Sequence, residues 1–249
     1  DKSIYEYAVG VELICGGKEN YDLMDLVYNL KCPEKFKPMF GEKPEKNSVR
    51  LITRGSNYPW FSQSSVDMNY MCEDYCLGSF SLTDGWNQHT AVIGYIGDKK
   101  EKCCMRLRMF HNNYDFCSAF FASVQEKGAV LSAVNFHTNR GDTHVDLDPV
   151  INATIKATDF RVRWQLEANT EKVIEKIKIT ETENGCVLDV LGTRVEIGYP
   201  FAEMNGEKPH FEITREGREL FADMVLYSGA EKEINLAELE SAAVVTYIE

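Results

Sequence analysis

The 249-residue chain is long enough to bury a substantial core, and its 44% apolar and 27% charged residues are those of an ordinary globular protein. Its 27 Lys plus Arg against 39 Asp plus Glu leave a net charge of −12, which disfavours nucleic acid and anionic membranes as partners. No run approaches the roughly 18 apolar residues of a membrane helix, and Asp1 opens no charged-then-apolar leader.

The first fifty residues differ from the rest. "YDLMDLVYNL" places Leu23, Leu26, Val27 and Leu30 at the three-and-four spacing of one helical face, and Cys32-Pro33 ends it. The following "CPEKFKPMFGEKPEKNS" is rich in proline and lysine and reads as a linker or surface strap. Residues 1–47 are therefore expected to be a short helical and linker segment packed on an antiparallel β-sandwich domain of residues 48–249.

"NYPWFSQ" and "TDGWNQHT" concentrate aromatic and amide groups, with Trp60, Trp86, Asn87, Gln88 and His89. Rings beside fixed donors and acceptors suit sugars, whose C–H faces stack while their hydroxyls hydrogen-bond. These five are candidate ligand contacts; core packing is the competing role for the aromatics. "CEDYC" puts Cys72 and Cys76 four steps apart, roughly 13 Å along a strand, beyond the about 7 Å that a disulfide spans. With no C-x-x-C pair and no histidine at zinc-finger spacing, the eight cysteines read as free buried thiols of a reducing, cytoplasmic setting.

Period-two segments then dominate. "CCMRLRMF" and "DFRVRWQLE" alternate apolar with polar residues, so Arg106 and Arg108, two further candidate ligand contacts, share one face, as do Arg161 and Arg163, opposite Phe160, Val162, Trp164 and Leu166. "SAFFASVQ", "AVLSAVNFH", "KIKITET", "CVLDVLGTRVEIGY", "HFEITRE", "ELFADMVLYS" and "AVVTYIE" continue the pattern between Gly, Asn and Asp turns. The expected fold is all-β: a large antiparallel sandwich with a short helical amino-terminal segment.

"VNFHTNRGDTHVDLD" reads as a hairpin with Asn139 to Asp142 at its tip. In that register His137 opposes His144, Asn135 opposes Asp146 and Val134 opposes Leu147. Val134, Phe136, Val145 and Leu147 then share a core face, and His137, His144 and Asp146 share the other. A carboxylate beside paired imidazoles is a general acid–base arrangement. The same three could hold a divalent metal, although no cofactor is expected; a decorated polar face is the plain alternative. Phosphate-loop, dinucleotide, G-x-S-x-G and H-E-x-x-H motifs are absent.

The succession "YMCEDYCLGSF", "DGWNQHTAVIGYI", "MRLRMFHNNYDFCSAFFASVQEKGAVLSAVNFHTNRGDTHVDL" and "DFRVRWQLE", covering roughly 50 to 170, resembles the carboxy-terminal sandwich of heparinase-like and alginate-lyase-like polysaccharide lyases. That resemblance implies a supersandwich-like fold, carbohydrate as partner and β-elimination from uronic-acid polymers, with His144 or His137 facing a cleft. It also implies that activity needs a helical domain upstream of this chain. A non-catalytic carbohydrate-binding or protein-interaction sandwich is the alternative.

Overall fold

The computed structural model describes residues 34–35, 48–58, 61–84, 90–98, 100–139 and 153–249. The chain divides into two compact units, Asp1–Lys43 and Pro44–Glu249. The helix expected over Leu23–Leu30 lies outside the described residues.

Sixteen described strands form two sheets, every pairing antiparallel. The nine-stranded sheet runs β1 (Ser48–Tyr58), β2 (Phe61–Met71), β3 (Tyr75–Phe80), β5 (Val92–Gly97), β6 (Lys102–His111), β10 (Thr154–Ala168), β15 (Glu219–Asn235), β14 (His210–Glu216), with β7 (Tyr114–Asp115) beside β6. The seven-stranded sheet runs β11 (Lys178–Thr182), β12 (Gly185–Val190), β13 (Thr193–Met204), β16 (Ala242–Ile248), β9 (Ala129–Asn135), β8 (Phe120–Glu126), β4 (Leu82–Asp84). The expected all-β antiparallel sandwich is the fold observed.

Central strand β10, flanked by β6 and β15, shows how the sequence sorts its faces. Phe160, Val162, Trp164 and Leu166 are fully buried between the sheets, while Arg161, Arg163 and Glu167 point away from them. Burying four such side chains contributes on the order of 2 kcal/mol each. Two polar groups between the sheets are matched: the Trp164 indole N–H donates to Thr246 Oγ1, and the Tyr199 hydroxyl donates to the Ala222 carbonyl at 2.7 Å. Both bonds run from one sheet to the other.

One helix was not foreseen. α1 (Glu171–Lys176) follows Thr170 and buries Val173 and Ile174. Six residues are too few to display a 3.6-residue period.

The hairpin pairing expected around Asn139–Asp142 is overturned at its base. Val134 is hydrogen-bonded in register with Phe121 on one side and Val244 on the other, and Asn135 with Phe120 and Ala243. Both edges of β9 are occupied, so neither Leu147 nor Asp146 can pair there. Val134 and Phe136 are nevertheless buried, as their alternation implies, while Val145 and Leu147 lie outside the described residues. A second correction concerns Cys72 and Cys76. They do not lie four steps along one strand, because the chain reverses between them and Met71 pairs with Cys76; both thiols are free.

Candidate functional site

The outward face of β10 and its neighbours carries the densest polar arrangement. Strand alternation lines up Arg161, Arg163, Gln165 and Glu167 along β10; register sets Arg108 beside Arg163 and Arg106 beside Gln165 from β6, and Asp223 beside Arg163 from β15. Two like charges directly opposed repel, so each guanidinium must be neutralised locally, and each is.

Arg108 grips Asp115 with two bonds, Nε to Oδ1 at 2.8 Å and Nη2 to Oδ2 at 2.6 Å, and also donates to the Gln165 side-chain oxygen. Arg163 binds both oxygens of Asp223, each at 2.7 Å. Arg161 joins the same carboxylate at 2.7 Å while holding Asp159 and Glu212. Asp159 lies two residues before Arg161 on the same strand, where alternation puts both on one face and within reach of each other. Phe110 lies beneath Arg108 and Arg163 at 4.6 and 4.9 Å, and Phe221 beneath Arg163 at 3.9 Å, so the guanidinium planes rest on aromatic faces. Burial works against the charged form of Arg161, but the hydrogen bonds to Asp159 and Asp223 outweigh it and hold its pKa above the ordinary guanidinium value.

This lattice has a closed centre and an accessible flank. Asp223 is fully buried, whereas Arg106 and Glu167, bonded at 3.0 Å, keep 32% and 38% of their side-chain surface open. Tyr95, on the neighbouring strand and half exposed, lies diagonally from Arg106 across the β5–β6 pair. An aromatic ring, a guanidinium and a carboxylate thus share one patch. Nearby Cys76 and Cys104 are pushed up by burial, and Cys103 on the core side reaches about 12, so these thiols stay protonated at neutral pH and are not nucleophiles.

A second feature is an open cleft of about 710 Å³ where the β2–β3, β5–β6 and β12–β13 turns meet the end of α1. Glu73, Asp74, Asp98, Glu101 and Asp189 outnumber Lys100, Lys176 and Lys178 there, and Lys176 and Lys178 are already bonded to Glu101 and Asp189. Asp98 is held below the usual carboxylate range by the Glu101 and Lys100 N–H groups, and Asp189 by Lys178 and the Gly192 N–H. Both are acceptors at neutral pH, and among the described residues no ring or imidazole lines the cleft.

Of the candidates raised by the sequence, Arg106 and Arg108 fall on the β6 side of the lattice. His137 is exposed just beyond β9, its backbone N–H bonded to the Asn135 side chain at 3.1 Å. His144, Asp146, Trp60, Trp86, Asn87, Gln88 and His89 lie outside the described residues. Among the described residues no group of three or more His, Cys, Asp or Glu is arranged to hold a metal ion. Tyr95, Gln165 and Asp223 were not foreseen, although an aspartate inside the apolar run "LFADMVLY" is itself a signal, since a buried charge requires partners. No family model, curated protein or solved structure matches this chain.

Proposed function

We propose that the accessible flank of the nine-stranded sheet holds a saccharide, making this chain the β-sandwich domain of a carbohydrate-active protein. The observation that carries the reading is the half-exposed Arg106–Glu167 pair beside the half-exposed ring of Tyr95. Neighbouring sugar hydroxyls need a donor and an acceptor at fixed positions, and a guanidinium clamped to a carboxylate presents both with little rotamer freedom left to lose. The ring supplies the flat apolar contact that a pyranose face requires.

The charge balance favours a neutral sugar. Arg106, Arg108, Arg161 and Arg163 already face Asp115, Asp159, Glu167, Glu212 and Asp223, and Glu219 adds a further carboxylate through Gln165. A uronate would meet an excess of like charge here. Elimination chemistry on uronic-acid polymers would instead rest on His137, His144 and Asp146, in a protein that also supplies a helical domain.

Calorimetry of the full chain against neutral and uronic-acid oligosaccharides tests the reading. Binding of a neutral oligosaccharide that weakens about tenfold or more in both Tyr95→Ala and Arg106→Ala is expected. Absence of saccharide binding would overturn it. Unsaturated, ultraviolet-absorbing products from a uronic-acid polymer, lost in His144→Ala, would put the lyase reading first.

A further inference from the structure

The seven-stranded sheet, whose Phe121, Val130, Val134, Val244 and Ile248 face the core in the ordinary way, inverts its polarity locally. Along one row Ser123, Ser132 and Thr246 face inward and are buried, the two serine hydroxyls bonded to each other at 2.8 Å. One residue further along the same strands, Val124, Leu131 and Tyr247 stand side by side on the outside. Val124 is 68% exposed and Leu131 46%. Ordinary solvent-facing sheets alternate the other way, apolar inward and polar outward.

The next outward row extends the patch rather than ending it. Ala122, Ala133 and Val245 follow in register, and Phe201 of β13, 46% exposed, pairs with Val245. Single exposed aliphatics need no explanation, but a contiguous apolar field does. Strands about 4.8 Å apart make this field roughly 15 Å across β8, β9, β16 and β13. That is wide enough to seat one α-helix, about 10 Å in diameter.

Charge at the border decides between occupants. Glu126, Glu196, Glu203 and Glu249 lie around the field, against Lys127 and Arg194, and Arg194 is spent on Glu196 at 2.5 Å. A second copy would bring the same acidic border against this one, which like-charge repulsion penalises. From the inverted polarity, the footprint and the acidic border we infer that the outer face of the seven-stranded sheet docks an amphipathic helix of a partner protein, apolar along one stripe and flanked by Lys or Arg.

The probe is a synthetic helical peptide with leucines at three-and-four spacing and lysines elsewhere, labelled for fluorescence anisotropy and titrated with the full chain; a matched leucine–glutamate peptide is the control. Saturable binding of the lysine peptide, at least about tenfold weaker for the glutamate peptide and for the Val124→Lys/Leu131→Lys variant, is expected. Both substituted side chains are solvent-facing, and unchanged circular dichroism verifies folding of the variant. No binding, or equal binding by the variant, overturns the inference. So does a concentration-dependent dimer in sedimentation that the double variant abolishes, which would make a second copy the occupant.

Discussion

The Trp164 indole N–H donates a 2.7 Å hydrogen bond to Thr246 Oγ1 across the two sheets, and the threonine hydroxyl in turn donates to the Gly198 carbonyl at 2.9 Å. Both side chains are fully buried. Thr246→Val keeps the shape and removes both bonds, leaving a buried indole donor unmatched. Such a donor costs about 1–3 kcal/mol. The midpoint of urea unfolding, followed by tryptophan fluorescence, should fall accordingly with an unchanged slope; an unchanged midpoint would mean that the indole finds another acceptor.

Asp223 is the negative centre for both Arg161 and Arg163 and is fully buried. Removing one partner of a buried ionic set strands the others, at a cost of about 3–5 kcal/mol. Asp223→Ala should therefore destabilise by that order, whereas the triple change Asp223→Leu, Arg161→Met, Arg163→Met should cost much less than the sum of its single changes. Additivity in chemical denaturation would show the three groups to be uncoupled.

The strands and faces of this fold could be read locally; their neighbours could not. Phe160, Val162, Trp164 and Leu166 against Arg161 and Arg163 declare a two-faced strand within nine residues, because period two is a local property. "RLR" and "RVR" likewise put the four arginines on outward faces. Which carboxylate each meets depends on how β6 and β10 pair and on β7, β14 and β15, and nothing near Arg163 announces Asp223. The pairing of Val134 with Leu147 failed for the same reason: sequence proximity favoured a hairpin, while β16, far along the chain, takes that edge. The Arg106–Glu167–Tyr95 patch combines three strands, and only its arginine was visible beforehand.

Cys103 and Cys186 are buried and pushed up from about 9 to about 12. Each binds its proton more tightly in the folded chain, so below pH 9 both states are protonated and stability does not depend on these groups. Between pH 9 and 12 the unfolded chain releases protons that the folded chain retains, and stability falls as pH rises, by about 1.4 kcal/mol per unit for each thiol. Unfolding free energies under reducing conditions from pH 7 to 11 should show this decline, and the Cys103→Ala/Cys186→Ala variant should lose the part of the slope that these two thiols supply, leaving that of the other raised groups such as Cys104 and Tyr199. Equal slopes would assign the alkaline loss to other groups.

Gly198 lies beneath the ring of Tyr247, and a Cβ there would come within 2.3 Å of the ring. The close approach lets the Tyr247 hydroxyl reach Glu196 Oε1 at 2.8 Å, a bond that raises the tyrosine pKa and lowers that of Glu196. Because Tyr247 stands on the outer face, the ring can swing away, so Gly198→Ala should cost only about 1 kcal/mol, the worth of one hydrogen bond. Its clearer signature is spectroscopic. Ultraviolet titration should show one tyrosine moving from above 10 back towards the ordinary value, since a ring displaced from Glu196 no longer has its neutral form favoured. Glu196→Gln should move the same tyrosine in the same direction while leaving the ring where it is. A titration unchanged in the alanine variant would mean that the backbone, not the ring, had yielded.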